Sequence, residues 1–318
     1  MERPLFVFVG GMLWATVLHA AESTADTPPS PLPTVPAVNL ESLEQPHAYL
    51  SAQFLQLVKE IDRFFGDDRN YQESNDSVLQ LDLSRATGYG GDGQYRLAGR
   101  AKLHLPNTER QLHLTLESDP DQNPAGGQPA AVTGVLQSLG AALRNERGSE
   151  GRWHFSTDAG LKFQGVSTTP FVRARASVEG NPDRWHLKGT ETLFWFNTLG
   201  WGETTQFDVE RLISEPVLFR ATTSATWLHA RQNFDLRQDF SFYQTWDDRT
   251  ALLYRVSIIG VSQPVAHVTD HVLLFSYRYR LHQDWLFFEA DPQLHFPEDD
   301  RYGATPALLV KLEMLFAQ

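Results

Sequence analysis

The chain has no cysteine among its 318 residues. That excludes a disulfide scaffold, a thiolate metal centre, a cysteine nucleophile and a lipid-modified N-terminal cysteine. Positive charge is also scarce, with 27 Lys and Arg against 39 Asp and Glu and a formal charge of −12. A nucleic-acid binder needs a basic footprint, so no nucleic-acid partner is expected. Beyond the first twenty or so residues no apolar run approaches the length of a spanning helix. Any further crossing of a membrane therefore falls to strands. No phosphate-binding loop is present. His267 and His271 lie four apart in a strand-like stretch, which spreads them by about 13 Å and suits no metal. Neither a metal nor another cofactor is expected.

What is present divides the chain into four parts. Residues 1–21 read as a signal peptide, with Arg3 at the start, an apolar run from Leu5 to Leu18, and Ala20 and Ala21 near a cut. An uncleaved anchor is the alternative. Residues 22–46 form a linker carrying Pro28, Pro29, Pro31, Pro33 and Pro36. Residues 47–76 hold an amphipathic helix, His47–Phe65, and a lead-in. Phe54, Leu57, Ile61 and Phe65 recur at helical spacing and are expected to dock on the domain that follows, and Gly66 ends the helix.

Residues 77–318 are strand after strand. Leu79, Leu81 and Leu83 alternate with Gln80, Asp82 and Ser84, and Val172, Ala174, Ala176 and Val178 with Arg173, Arg175, Ser177 and Glu179. Turn signals such as Asn181-Pro182-Asp183 and Gln263-Pro264 separate the segments. Asp119 to Gly151 breaks the pattern. It reads as a polar insertion, a loop or a lumen insert, with a faintly helical spacing from Val132 to Leu143.

In the last stretch Leu308, Val310, Leu312, Met314 and Phe316 take one face, and Leu309, Lys311, Glu313 and Leu315 the other. After a secretion signal, such an ending resembles the closing strands of a bacterial outer-membrane β-barrel protein. Tryptophans near strand ends, at 153, 185, 195, 201, 227, 246 and 285, suit an aromatic girdle. The fold class expected is all-β: a transmembrane antiparallel β-barrel of about 12 strands, with 14 as the alternative, preceded by one amphipathic helix. The resemblance implies an outer-membrane location after signal cleavage, with outer-membrane lipid and the barrel-assembly machinery as partners. It also implies Leu312, Met314 and Phe316 as the assembly signal, although Ala317-Gln318 beyond Phe316 departs from the family habit. A soluble β protein with the same leucines inside is the other reading of the alternation.

Alternation would turn Arg278, Arg280, Glu289, Asp291, Lys311 and Glu313 into the interior as a charge network. With its turn on His282-Gln283, the preceding hairpin would set Arg278 across from Phe287 and diagonal to Glu289. His154-Phe155-Ser156 resembles the His-x-Ser pair of outer-membrane phospholipase A. Both polar residues would face the lumen, with no Asn or Glu beside them on a neighbouring strand, so no catalytic residue is assigned. Paired acids at 67–68, 247–248 and 299–300 suit solvated turns, and no His-Asp pair accompanies them. The expectation is a structural or envelope-organising barrel with a periplasmic partner not identified. A narrow channel for a polar solute is the alternative, and a lipid-active hydrolase the second alternative.

Overall fold

The computed structural model describes Phe64 and residues 77–317, apart from positions 92, 105–111, 122–137, 149–151, 183, 215 and 283–284. The strands are β1 (Val78–Gly88), β2 (Tyr95–His104), β3 (Leu112–Ser118), β4 (Leu139–Gly148) and β5 (Trp153–Gln164). Then come β6 (Ser167–Gly180), β7 (Trp185–Phe196), β8 (Gly200–Ser214), β9 (Val217–Leu228) and β10 (Asn233–Asp247). β11 (Thr250–Val261), β12 (His267–His282), β13 (Leu286–Pro297) and β14 (Thr305–Ala317) complete the set. Each strand pairs antiparallel with the next, and β1 pairs with β14 from Val78–Ala317 to Gly88–Ala307, so the sheet closes on itself. Closure satisfies every strand edge.

The barrel has fourteen strands, not twelve. One of the two strands by which that expectation falls short is β4, inside the segment read as an insertion. Only Leu139 and Leu143 mark its outer face, and small Gly140, Ala141 and Ala142 lie between them. Two leucines four apart mimic a helix as well as a strand, and pairing with β3 and β5 decides the matter. The β12–β13 register is also corrected. Arg278 stands directly across from Glu289, and Arg280 from Phe287, because the strands turn between His282 and Leu286, further along the chain than His282-Gln283.

The barrel is apolar outside and polar inside. Leu97, Phe155, Leu193, Phe207, Leu273 and Phe316 are exposed on the outer face, whereas Lys102, Arg278, Glu210 and Glu313 are fully buried. A soluble β protein has the opposite sidedness. On β7 the outward Trp185 and Trp195 are separated by about 33 Å along the strand, at ~3.3 Å per residue. With a strand tilt of ~40° that is about 25 Å of height, the thickness of a barrel's apolar band.

The signal peptide, the linker and the helix expected over His47–Phe65 lie outside the described residues, with the exception of Phe64. That residue is helical. Its ring packs edge-on against Phe287, with centroids 5.7 Å apart, and beneath the Arg280 guanidinium at 5.3 Å. Phe54, Leu57, Ile61 and Phe65 fall outside the described residues.

Candidate functional site

Because side chains alternate along each strand, every second residue projects into the interior, where its charge must find a partner. Near the chain-terminal end, Arg278 donates from Nη1 to Glu289 Oε2 at 2.6 Å and from Nη2 to Glu313 Oε1 at 2.5 Å. Lys311 Nζ sits 3.2 Å from Glu289 and 3.4 Å from Glu313, which makes two cations against two carboxylates. The Arg278 guanidinium also covers the Phe287 ring at 4.4 Å. Asp291 is buried one pleat along from Glu289, and Arg280 lies on the Phe64 side of the cluster. The six charges singled out from the sequence thus occupy one stretch of interior wall, on β12, β13 and β14.

Two further networks were not legible as groups. Arg144 grips Asp158 with two bonds, from Nε at 2.7 Å and from Nη2 at 2.8 Å. Arg173 joins Asp158 to Glu117, while Lys102 and His113 meet at Glu146. Arg144 and Glu146 come from β4, so missing that strand hid the cluster. On β7–β9, His186 Nδ1 lies 3.1 Å from Glu210 and Arg220 Nε donates to Glu210 at 2.6 Å. Arg220 and Arg255 both reach the Tyr243 hydroxyl, each at 3.3 Å. Arg220 was obscured because Leu218, two residues before it on β9, also turns inward and spoils the alternation.

The interior is not polar throughout. Phe171, Phe194, Phe196 and Leu228 form a buried apolar cluster, and Arg173 lies over the Phe171 and Phe196 rings at 6.0 and 5.9 Å. This end of the wall is closely packed.

The hydrolase constellation is absent among the described residues. His154 pairs across with Ser177, and Ser156 with Arg175 on one side and Glu146 on the other. A glutamate does therefore stand beside Ser156, contrary to the sequence reading, which lacked β4. Its carboxylate engages Lys102 at 2.6 Å instead of orienting His154. A His-Asp pair also exists: His295 Nδ1 lies 2.7 Å from Asp270, near the end away from the termini. Its Nε2 meets Gln293 at 3.0 Å, and Tyr89 covers the ring at 4.8 Å. With both nitrogens engaged and, among the described residues, no hydroxyl nucleophile bonded to the ring, the pair is a tie between β12 and β13. Asp247 accepts the Arg249 backbone N–H at 2.7 Å in its turn, and Asp299 and Asp300 form a short 3-10 turn. Among the described residues no group of three His, Asp or Glu is placed to hold a metal ion.

No protein-family model matches the chain, and no curated protein is similar to it in sequence. Solved structures with a similar fold are bacterial outer-membrane porins and channels. OprB of Pseudomonas putida is 8% identical, with 79% of this chain and 97% of that one covered and a TM-score of 0.47. The outer-membrane channel DcaP of Acinetobacter baumannii is 7% identical over 76% and 96%, with a TM-score of 0.44. The KdgM porin is 7% identical over 74% and 98%, with a TM-score of 0.37. None of these values supports matching residue to residue, so the interior described above stands on its own geometry.

Proposed function

We propose that the chain is an outer-membrane β-barrel protein whose interior is closed at rest and whose role is structural or envelope-organising. The membrane reading is supported by the sidedness of the wall: exposed leucine, phenylalanine and tryptophan outside, buried arginine and glutamate inside. Hydrocarbon is the surroundings in which that arrangement is stable. The observation that carries the closed interior is the packing of Arg278 against Glu289 and Glu313. All three are less than a tenth exposed and bond directly to one another. Water-filled lumens leave their lining charges hydrated, whereas here arginines meet carboxylates and phenylalanines.

Single-channel recording of the full chain in planar bilayers tests this reading. A silent bilayer, with insertion shown separately by flotation with lipid, is the expected result. Steady open-channel conductance would overturn it.

A channel for a small polar solute is the second reading, favoured by an unequal distribution of sign. The wall from β2 to β6 carries Arg96, Lys102, Arg144, Lys162 and Arg173 against Glu117, Glu146 and Asp158, while β13 to β1 is rich in acid. Conductance that depends on the charge of the solute would favour it.

A further inference from the structure

The outer face of β7 and β8 departs from the apolar belt. Glu191 and Glu203 point outward, on the alternation that turns Thr192, Phe194, Thr204 and Asp208 inward. Glu191 stands directly across from Thr205, whose hydroxyl donates to its carboxylate at 2.7 Å. The polar patch continues to Thr223 on β9, which donates to Gln238 on β10 at 2.5 Å. Exposed Leu193, Phe207, Leu236 and Phe240 frame it. Among the described residues no ion pair reaches either carboxylate.

Depth makes this placement costly. Glu191 lies between Trp185 and Trp195 on one strand, about 13 Å along it from the upper tryptophan and so about 10 Å below the interface. Hydrocarbon offers no hydrogen-bond donor there, and an ionisable side chain at membrane depth marks a functional contact.

A second observation lies beside the first. The outer wall over β5 and β6 holds a concavity of about 520 Å³ where Ala159 and Ala174 leave room between Leu143 and Trp201. Asp158 and Arg173 also border it but are buried on the interior face. The exposed polar side chains on its outward face are Asn145 and Thr157, an amide and a hydroxyl that can donate.

We propose that this face seats a second copy of the chain, with Glu191 and Glu203 of one copy taking hydrogen bonds from Asn145 and Thr157 of the next. A twofold contact would set carboxylates against carboxylates, which repel, so the contact runs head to tail and closes as a ring. Each strand of a fourteen-strand ring turns the wall by about 26°. The centres of the concavity and of the acidic patch are two to three strands apart, hence roughly 50–80°. That suits a ring of three copies, in which the two neighbours lie about 60° apart.

The proposal rests on the membrane reading, and the two fail separately. The full chain is refolded in detergent and transferred to phosphatidylcholine vesicles, and flotation shows whether it enters lipid. Its mass in detergent and its crosslinking in vesicles then give the assembly. The parent is expected to float and to assemble. Glu191→Leu with Glu203→Leu, and separately Asn145→Leu with Thr157→Val, should float equally well but run as monomers. Both pairs replace polar groups with lipid-compatible ones, so the barrel itself is not weakened.

Failure to float would overturn the membrane reading and the interface together. A floating parent that is monomeric would overturn the interface alone, as would assembled variants. Self-crosslinking of Glu191→Cys would overturn the head-to-tail arrangement.

Discussion

Arg278 reaches past its neighbouring strand to Glu313. Its Nη2 donates to Glu313 Oε1 at 2.5 Å, while Nη1 serves both Glu289 at 2.6 Å and Glu313 at 3.1 Å. One guanidinium therefore ties β12, β13 and β14 together beside the seam where the chain closes on β1. Arg278→Ala would leave two buried carboxylates with Lys311 alone, and should cost about 3–5 kcal/mol. Glu289→Ala should cost less, because Glu313 still neutralises the arginine. Removing one charge of each sign together, as Arg278→Met with Glu313→Leu, leaves Lys311 paired with Glu289 and should recover most of the loss. The urea midpoint of the refolded barrel measures all three. Equal midpoints for Arg278→Ala and the parent would show that the interior charges are independently hydrated.

This cluster shows what a sequence pattern carries and what it does not. The strict alternation of β14 puts Lys311 and Glu313 on the inner face without further information. Which residue faces Arg278 depends on where the hairpin turns, and a loop between His282 and Leu286 moves Glu289 from the diagonal to the directly opposite position. Alternation cannot register such a shift, because a slip of two residues leaves the faces unchanged. β4 was hidden for a different reason. Gly140, Ala141 and Ala142 carry almost no apolar signal, and their value lies in close packing: a Cβ on Gly160 of β5 would come within 2.5 Å of the Ala142 Cβ. The outward Glu191 also escaped the sequence reading, because a polar residue in a strand is usually assigned to the inner face.

The seam itself gives the second prediction. β14 pairs with β1 from Ala307 to Ala317, and Phe316 stacks on Trp285 at 5.7 Å. Deleting Leu312 to Gln318 removes the partners of Leu83, Asp82, Leu81, Gln80, Leu79 and Val78, and opens two strand edges. The truncated chain should fail to give a heat-modifiable barrel in the membrane fraction. Phe316→Ala should slow assembly without abolishing it, since the backbone ladder survives. Normal yield of the truncated barrel would remove the seam from the assembly argument.

Gly202 supplies a third. It pairs across with Phe194, whose ring lies over the glycine, and an added Cβ would come within 2.5 Å of that ring and 2.7 Å of the Trp227 carbonyl oxygen. The ring can turn aside but the backbone oxygen cannot. Gly202→Val should lower stability by about 1–3 kcal/mol through overpacking, read from the urea midpoint. Gly180→Ala, with nothing within 4 Å of the added Cβ, is the control and should change little.

Phe64 tests the link between the barrel and the segment before it. Its ring meets Phe287 and the underside of Arg280, both on the inner face of β12 and β13. The contact combines an aromatic edge with a cation over a π face, each worth roughly 0.5–1.5 kcal/mol. Phe64→Ala removes both and leaves Phe287 with an uncovered face. The barrel draws its stability from its own ladder, so its heat-modifiability and urea midpoint should stay near the parent values. Limited proteolysis should instead cut residues 47–76 faster than in the parent. Phe64→Tyr keeps the ring and should restore protection, which separates loss of the contact from a general loosening. Identical cleavage rates for parent and Phe64→Ala would mean that this contact does not hold the segment. A fall in barrel stability as large as that of Arg278→Ala would mean that Phe64 belongs to the core of the barrel and is not a seat for what precedes it.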